Sequence, residues 1–145
     1  MTVERATVPD LPAVVALLQR LDLPVEGVAQ CLGRMLVAKD GAQVVGVAAV
    51  ESYDQGALLR SVAVDPAYQG QGVGQRVVTA ALEMARQDGA EAVFLLTTTA
   101  ERFFPRFGFA EIPRTAVPSS VRSSVEFESA CPASAIAMRV ALAGR

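Results

Sequence analysis

The chain has 145 residues, enough for one domain with a hydrophobic core of its own and too few for two. A net charge of −2 and a pI near 5.1 provide no basic field for nucleic acid, and the thirteen Lys and Arg residues form no run. No apolar stretch reaches bilayer-spanning length, and Met1-Thr2-Val3-Glu4-Arg5 lacks the basic, apolar, small-residue progression of a signal peptide; neither nucleic acid nor membrane is an expected partner.

Thr2 to Thr7 reads as a first strand. Asp10-Leu11-Pro12 then opens a helix whose Leu11, Val14, Val15, Leu18 and Leu21 recur on one face, and Asp22-Leu23-Pro24 stops it. A helical turn over Glu26 to Leu32 precedes two apolar strands, Met35 to Ala38 and Val44 to Val50, joined by Lys39-Asp40-Gly41. A further strand, Leu58 to Val64, runs through Asp65-Pro66 into a glycine cluster. That cluster opens a long helix with a buried stripe of Val73, Val77, Val78, Ala81, Leu82 and Ala85. Ala92 to Leu96 is nearly continuous in apolar residues, as a strand covered on both faces would be, and the strand-helix-strand order implies a parallel pair. Thr98 with Glu101 has the form of a capping box for a short helix through Phe103 and Phe104, which Pro105 should bend or restart. A short strand ends at Ile112. Pro113 to Pro132 shows no strong period and reads as a long functional loop, and Ala135 to Leu142 as a last strand.

The two cysteines, Cys31 and Cys131, lie a hundred residues apart with none of the spacing of a zinc site, which fits a reducing cytoplasm and no metal. Hydrophobic residues make up 52% of the chain and the mean hydropathy is +0.36, high for so small a domain. A second copy covering apolar surface, hence a homodimer, is the expectation.

Gln69-Gly70-Gln71-Gly72-Val73-Gly74 follows a strand and starts a helix, where unpaired backbone N–H groups and the helix dipole converge. Glycines at alternate positions bare those amides to an anion, and a pyrophosphate would fit. A dinucleotide fingerprint would need a third glycine at Gln75 or Val77, and a nucleotide P-loop would need Lys followed by Ser or Thr; both are missing. A glycine-rich turn used only for tight packing is the remaining alternative.

The Gln69, Gly72, Gly74 pattern, with Val62-Ala63-Val64-Asp65-Pro66 before it, resembles the coenzyme A pyrophosphate loop of the GNAT superfamily of N-acetyltransferases. The likeness extends over nearly the whole chain. Leu96-Thr97-Thr98-Thr99-Ala100-Glu101-Arg102-Phe103-Phe104 and Phe107-Gly108-Phe109 are similar to the acetyltransferase domain of N-acetylglutamate synthase. Leu59-Arg60-Ser61, Ile112-Pro113-Arg114, Glu126-Phe127 and Cys131-Pro132-Ala133-Ser134-Ala135 are similar to a small subgroup associated with arsenic-resistance gene clusters. The resemblance implies an α/β (α+β) fold, one GNAT domain over residues 1–145, with a mixed sheet of six to seven strands flanked by about four helices.

It further implies acetyl-CoA as cosubstrate and direct transfer to an amine in a ternary complex. The backbone of Val62, Ala63 and Val64 would pair with the pantetheine arm, and the N–H of Val64 would stabilise the oxyanion. Gln69, Gly70, Gln71, Gly72, Val73, Gly74 and Gln75 would hold the pyrophosphate. Phe104 stands where many GNAT enzymes carry a tyrosine that protonates the thiolate, so it would pack on the coenzyme arm or the core. Neither Tyr53 nor Tyr68 can be assigned that role from sequence.

With no histidine in the chain the base must be a carboxylate, a water held by one, or solvent. Glu51, at the end of a strand beside the acceptor mouth, is the candidate, or else an ordinary solvated turn residue. Glu26, Glu126 and Glu128 are alternatives. Arg60 interrupts an apolar strand, a costly place for an unpartnered charge. Alternation puts it on the face of Val62 and Val64, where it would hold a substrate carboxylate or, alternatively, an internal acid. Arg114 and Arg122, flanking serines in the long loop, and Thr97 complete the expected acceptor site. The expected acceptor is a small acidic amino-acid-like amine, glutamate-like or an organoarsenical or phosphinic amino acid. A protein N-terminal or lysine acetyltransferase and a non-catalytic acyl-CoA sensor are the competing functions.

Overall fold

The computed structural model describes residues 1–130 and 134–142, without the side chains of residues 129 and 130. Cys131 therefore lies outside the described residues.

Seven strands form one mixed sheet in the order β1-β2-β3-β4-β5-β7-β6. They are β1 (Thr2–Arg5), β2 (Met35–Asp40), β3 (Gln43–Tyr53), β4 (Gly56–Val64), β5 (Ala92–Thr97), β6 (Ala110–Ile112) and β7 (Ile136–Ala141). Among the described residues three α-helices accompany them: α1 (Leu11–Arg20), α2 (Val73–Gln87) and the single turn α3 (Ser119–Arg122), with 3-10 segments between. The apolar periods explain the layering. The stripe of Val73, Val77, Val78, Ala81 and Ala85 packs on the sheet face carrying Ala48, Val50, Leu59 and Leu95. Val14, Leu17 and Leu18 of α1 cover the opposite face at Met35, Val37 and Val47. Val117 and Val121 cover that same face further along, at Leu58, Phe94 and Ala137.

The segment from Pro113 to Pro132, expected as a long loop without a strong period, is built of short turns over its described part, to residue 130: a 3-10 turn at Arg114–Ala116, α3, and a π-helical turn at Glu126–Ala130. Its anchors, Val121 and Val117, are at most 2% exposed. Two apolar positions four residues apart are too few to establish a helical period, yet they carry the segment onto the sheet. The expected capping box of Thr98 with Glu101 does not form, and the neighbouring threonine makes a single bond instead. Thr97 Oγ1 accepts the Ala100 N–H at 2.9 Å, and the turn that follows is a 3-10 segment, Phe104–Phe107, with Pro105 in its first turn.

Two irregularities in β4 shape the site. The β3–β4 register shifts by one residue between Val47↔Ala63 and Ala49↔Arg60, so Ser61 and Val62 together oppose Ala48. Ser61 takes the extra turn with φ 59, a left-handed conformation that glycine adopts more readily. β4 then pairs with β5 only at Ala57↔Val93 and Leu58↔Phe94. Beyond Leu58 the two parallel strands part.

Candidate active site

The parting strands open a cavity of about 1080 Å³. Its lining includes Val73 and Phe103 from the α2 side of the sheet and Leu23, Glu26 and Glu126 from the α1 side, so the gap connects the two faces. Val62, Ala63 and Val64 form one wall, and Thr97 and Phe104 lie on the β5 side. Asp65 donates its N–H to Val45 O at 2.8 Å. In an alternating antiparallel ladder this turns the Ala63 amide toward β3 and the Val64 amide toward the gap, where no strand accepts it.

At one end of the cavity sits the glycine cluster. Gly72 is the N-cap of α2 with φ 82, and Gly70 has the same φ. Both have open space where a Cβ would be, so the requirement is one of backbone angle. Gly74 is needed for the opposite reason: a Cβ there would lie 3.2 Å from Phe103 and 3.3 Å from Val64. The first-turn amides of α2 have no intrahelical acceptors and point into the cavity, an arrangement suited to a diphosphate. Gln69, Gly70, Gly72, Val73, Gly74 and Gln75 all line this end; Gln71, expected among them, does not and is exposed.

The other end is charged and buried. Arg60 is only 2% exposed and Glu126 only 3%. Arg60 Nη1 donates to Glu51 Oε2 at 3.0 Å, Nη2 to Glu26 O at 2.6 Å, and Nε to Ser61 Oγ at 3.1 Å, with Glu126 Oε2 at 3.5 Å from Nε. The internal ion pair is thus present. The bulge also overturns the face expected for Arg60: the extra residue puts it with Leu58 and Ala63, while Val62 and Val64 share the α2 face with Leu59.

Several expected acceptor residues fall elsewhere. Glu51 does not line the gap. It faces a second cavity of about 460 Å³ shared with Cys31, Arg34 and Tyr53, because Arg60 stands between it and the first. Arg122 is exposed and away from both cavities. Arg114 is outside the gap as well; it stacks over Phe127 at 5.4 Å and donates to Ala135 O at 2.9 Å, bracing the wall rather than reaching in. Glu128 is exposed and outside the gap. Tyr68 lines the cavity near the glycines, its hydroxyl held by Asp40 Oδ2 at 2.7 Å. Tyr53 donates to Glu51 Oε1 on the far side of Arg60. Ser61 and the Leu21–Pro24 turn, which line the gap, gave no sign in the sequence beyond a strand and a helix stop.

Residues 32–111 match the acetyltransferase (GNAT) domain family. The chain belongs to that family. Two curated relatives of this GNAT domain are an amino-acid acetyltransferase of Mycobacterium tuberculosis, 46% identical over 63 residues, and an uncharacterized N-acetyltransferase, CT2212, of Chlorobaculum tepidum, 31% identical over 98 residues. The alignments cover 43% and 67% of this chain, and 36% and 63% of those relatives' own lengths. Among solved structures, Rv2747 from Mycobacterium tuberculosis, in complex with CoA and NLQ, is similar with a TM-score of 0.84 and 28% identity, over 98% of this chain and 99% of that one. N-acetylglutamate synthase from Neisseria gonorrhoeae, complexed with coenzyme A and N-acetyl-glutamate, shares the fold at a TM-score of 0.84 and 19% identity, over 97% of this chain and 35% of that one.

The second cavity of this GNAT domain is chemically quiet. Cys31 Sγ lies 3.3 Å from Glu51 Oε2 and 3.4 Å from Gly27 O. Burial and then the adjacent Glu51 charge push its thiol up to about 12. Burial, followed by the bond to Glu51, raises Tyr53 as well. Both are protonated at neutral pH. Among the described residues no cluster of three or more potential metal ligands is gathered, and no helix is long and apolar enough to cross a membrane.

Proposed function

We propose that the protein transfers the acetyl group of acetyl-CoA to the primary amine of a small amino-acid-like acceptor. The carrying observation is the placement of Arg60 and Glu126 side by side, buried, at the end of the gap opposite the glycine cluster. A guanidinium next to a carboxylate matches the paired charges of an amino acid. Arg60 has five N–H groups, of which Ser61, Glu51 and Glu26 take three, so one remains on each terminal nitrogen for a carboxylate. The relative active as an amino-acid acetyltransferase supports this class, as does the ligand pair of Rv2747.

In this reading the pyrophosphate rests on Gly70 to Gln75 and the pantetheine arm runs along Val64 toward Val62, where the Val64 amide, expected from sequence at the oxyanion, pairs with the arm instead. Thr97 and Phe104 close the β5 side of the arm. Glu126 replaces Glu51 as the proposed base, because it faces the gap and Glu51 does not. The ammonium gives its proton to Glu126; the free amine attacks the carbonyl carbon, the C–N bond forms and the π pair moves to oxygen. Collapse breaks the C–S bond, the pair leaves with sulfur, and the second proton on nitrogen passes through water to the departing thiolate. An acidic side chain on the acceptor, whether glutamate-like or an arsenic or phosphorus oxyanion, would add a charge beside Arg60, and a homodimer would cover apolar surface.

The test is to incubate the protein with acetyl-CoA and a panel of amino acids, their methyl esters and short peptides while following free thiol. Thiol release with free amino acids, lost on esterification, supports the reading. Release with peptides alone indicates a protein acetyltransferase, coenzyme binding without release indicates a sensor, and no affinity for any acyl-CoA removes the reading entirely.

A further inference from the structure

Ser61 combines three features that packing alone does not require. It holds φ 59 although it has a side chain, a conformation costing about 1–2 kcal/mol relative to glycine. It lines the gap at the point where β4 leaves β5, three residues past the last paired position, Leu58. And its hydroxyl accepts from Arg60 Nε at 3.1 Å while donating to no group among the described residues. Accepting from Arg60 occupies one lone pair and turns the O–H away from the guanidinium. The cation behind it also polarises the O–H bond, making it a stronger donor than an isolated serine.

The run of the coenzyme fixes what that donor would meet. With the pyrophosphate on Gly70 to Gln75 and the arm along Val64 toward Val62, the acyl end falls next to Ser61, on the Arg60 and Glu126 side of the gap. We infer that the Ser61 hydroxyl is a catalytic hydrogen-bond donor to the thioester carbonyl oxygen. This rests on the reading given under Proposed function. As the amine adds and the carbonyl π pair moves to oxygen, the Ser61 O–H donates to the new oxyanion. The serine keeps its proton throughout: an alcohol is too weak an acid to surrender it, and the charge on Arg60 stabilises the bond without being consumed. Direct binding of the oxyanion by Arg60 is a poorer solution, since its Nε already points at Ser61 and its side chain is wholly covered.

Two variants separate this role from a structural one. Ser61→Gly removes the hydroxyl and relieves the left-handed backbone, which offsets the cost of the lost bond to Arg60. Ser61→Ala removes the hydroxyl and keeps the Cβ. Each is studied with acetyl-CoA labelled with carbon-13 at the carbonyl, by isotope-edited infrared spectroscopy of the bound thioester, alongside coenzyme affinity. The expected result is a carbonyl band that moves to higher frequency in both variants, as a bond to oxygen is lost, with dissociation constants for coenzyme A within threefold of wild type. With an accepted amine, kcat falls about a hundredfold in both. An unchanged carbonyl band in the two variants overturns the role of Ser61 while leaving the acetyl-CoA site intact. Failure of the wild type to bind acetyl-CoA overturns this inference together with the function on which it rests.

Discussion

Arg60 Nη1 lies 3.0 Å from Glu51 Oε2, and the arginine side chain is wholly removed from solvent. One guanidinium therefore separates two cavities, with Glu51 facing the smaller one and Glu126 opening on the larger. Removing it leaves two carboxylates in a poorly solvated interior. Arg60→Met is expected to lower unfolding free energy by about 3–5 kcal/mol, read from urea denaturation. A loss under 1 kcal/mol would mean that the cluster is solvated far better than its burial indicates.

Arg60→Lys keeps a cation and loses the planar fork. If the two remaining N–H groups grip an acceptor carboxylate, KM for the amino acid rises at least tenfold, about 1.4 kcal/mol, while the affinity for coenzyme A holds. Steady-state kinetics against both substrates decides it; an unaltered acceptor KM takes Arg60 out of acceptor binding.

Glu126→Gln keeps the shape of the charged end and removes the proposed proton acceptor. The expected fall in kcat is 10²–10⁴-fold, of the size that general bases contribute. In the same variant the acid limb of the kcat/KM profile should vanish, which loss of packing alone would not produce. An E51Q variant, altered behind Arg60, should retain that limb.

These residues show where sequence reading stops. The strands and helices were legible because their periods are local: α2's stripe, the glycines before it and the apolar β5 predict a parallel pair with an anion site. The acceptor end was not legible. A single extra residue at Ser61 reverses which face Arg60 occupies, and no local pattern announces a bulge whose left-handed position holds serine instead of glycine. Likewise Glu51 and Glu126 are both plain acids in sequence, and only the arginine between them determines which sees the gap. The segment from 113 to 132 hid its order for a related reason: its turns are too short for a period and are held by the isolated anchors Val117 and Val121.

Gly72→Ala should weaken coenzyme binding without touching the acceptor end. Its φ of 82 is unfavourable for any residue with a Cβ, so the amide nest must relax or carry strain. About a tenfold loss of acetyl-CoA affinity by calorimetry is expected, and equal affinity would show that the nest does not depend on that angle.

The acid limb of stability should depend on Asp10. Its bond to Lys39, and next its bond from the Thr7 amide, hold the carboxyl below its ordinary 3.8. A depressed folded value contributes stability above the unfolded value, and that contribution disappears as the pH falls through the folded one. Wild type should therefore exceed Asp10→Asn in urea midpoint at pH 7, with the gap narrowing below pH 4. A gap independent of pH would refute the ionic origin.

Cys31, with its thiol at about 12, carries a thiolate fraction of about 10⁻⁴ at pH 8. Peptide mapping after iodoacetamide treatment should find it unmodified in the folded protein and labelled once urea is added. Rapid labelling in the native state would contradict the burial that raises it.

The two-residue pairing of β4 with β5 has a mechanical side. The sheet is two stiff halves, β1 to β4 and β5 with β7 and β6, joined by a pair of rungs at Ala57 and Leu58 and by the helix laid across them. On the proposed function, a cosubstrate lodged in the opening would supply the rungs that the polypeptide omits, acting as mortar as much as reagent. Amide exchange in β5 and β7 should slow on coenzyme addition, even in strands that never touch it.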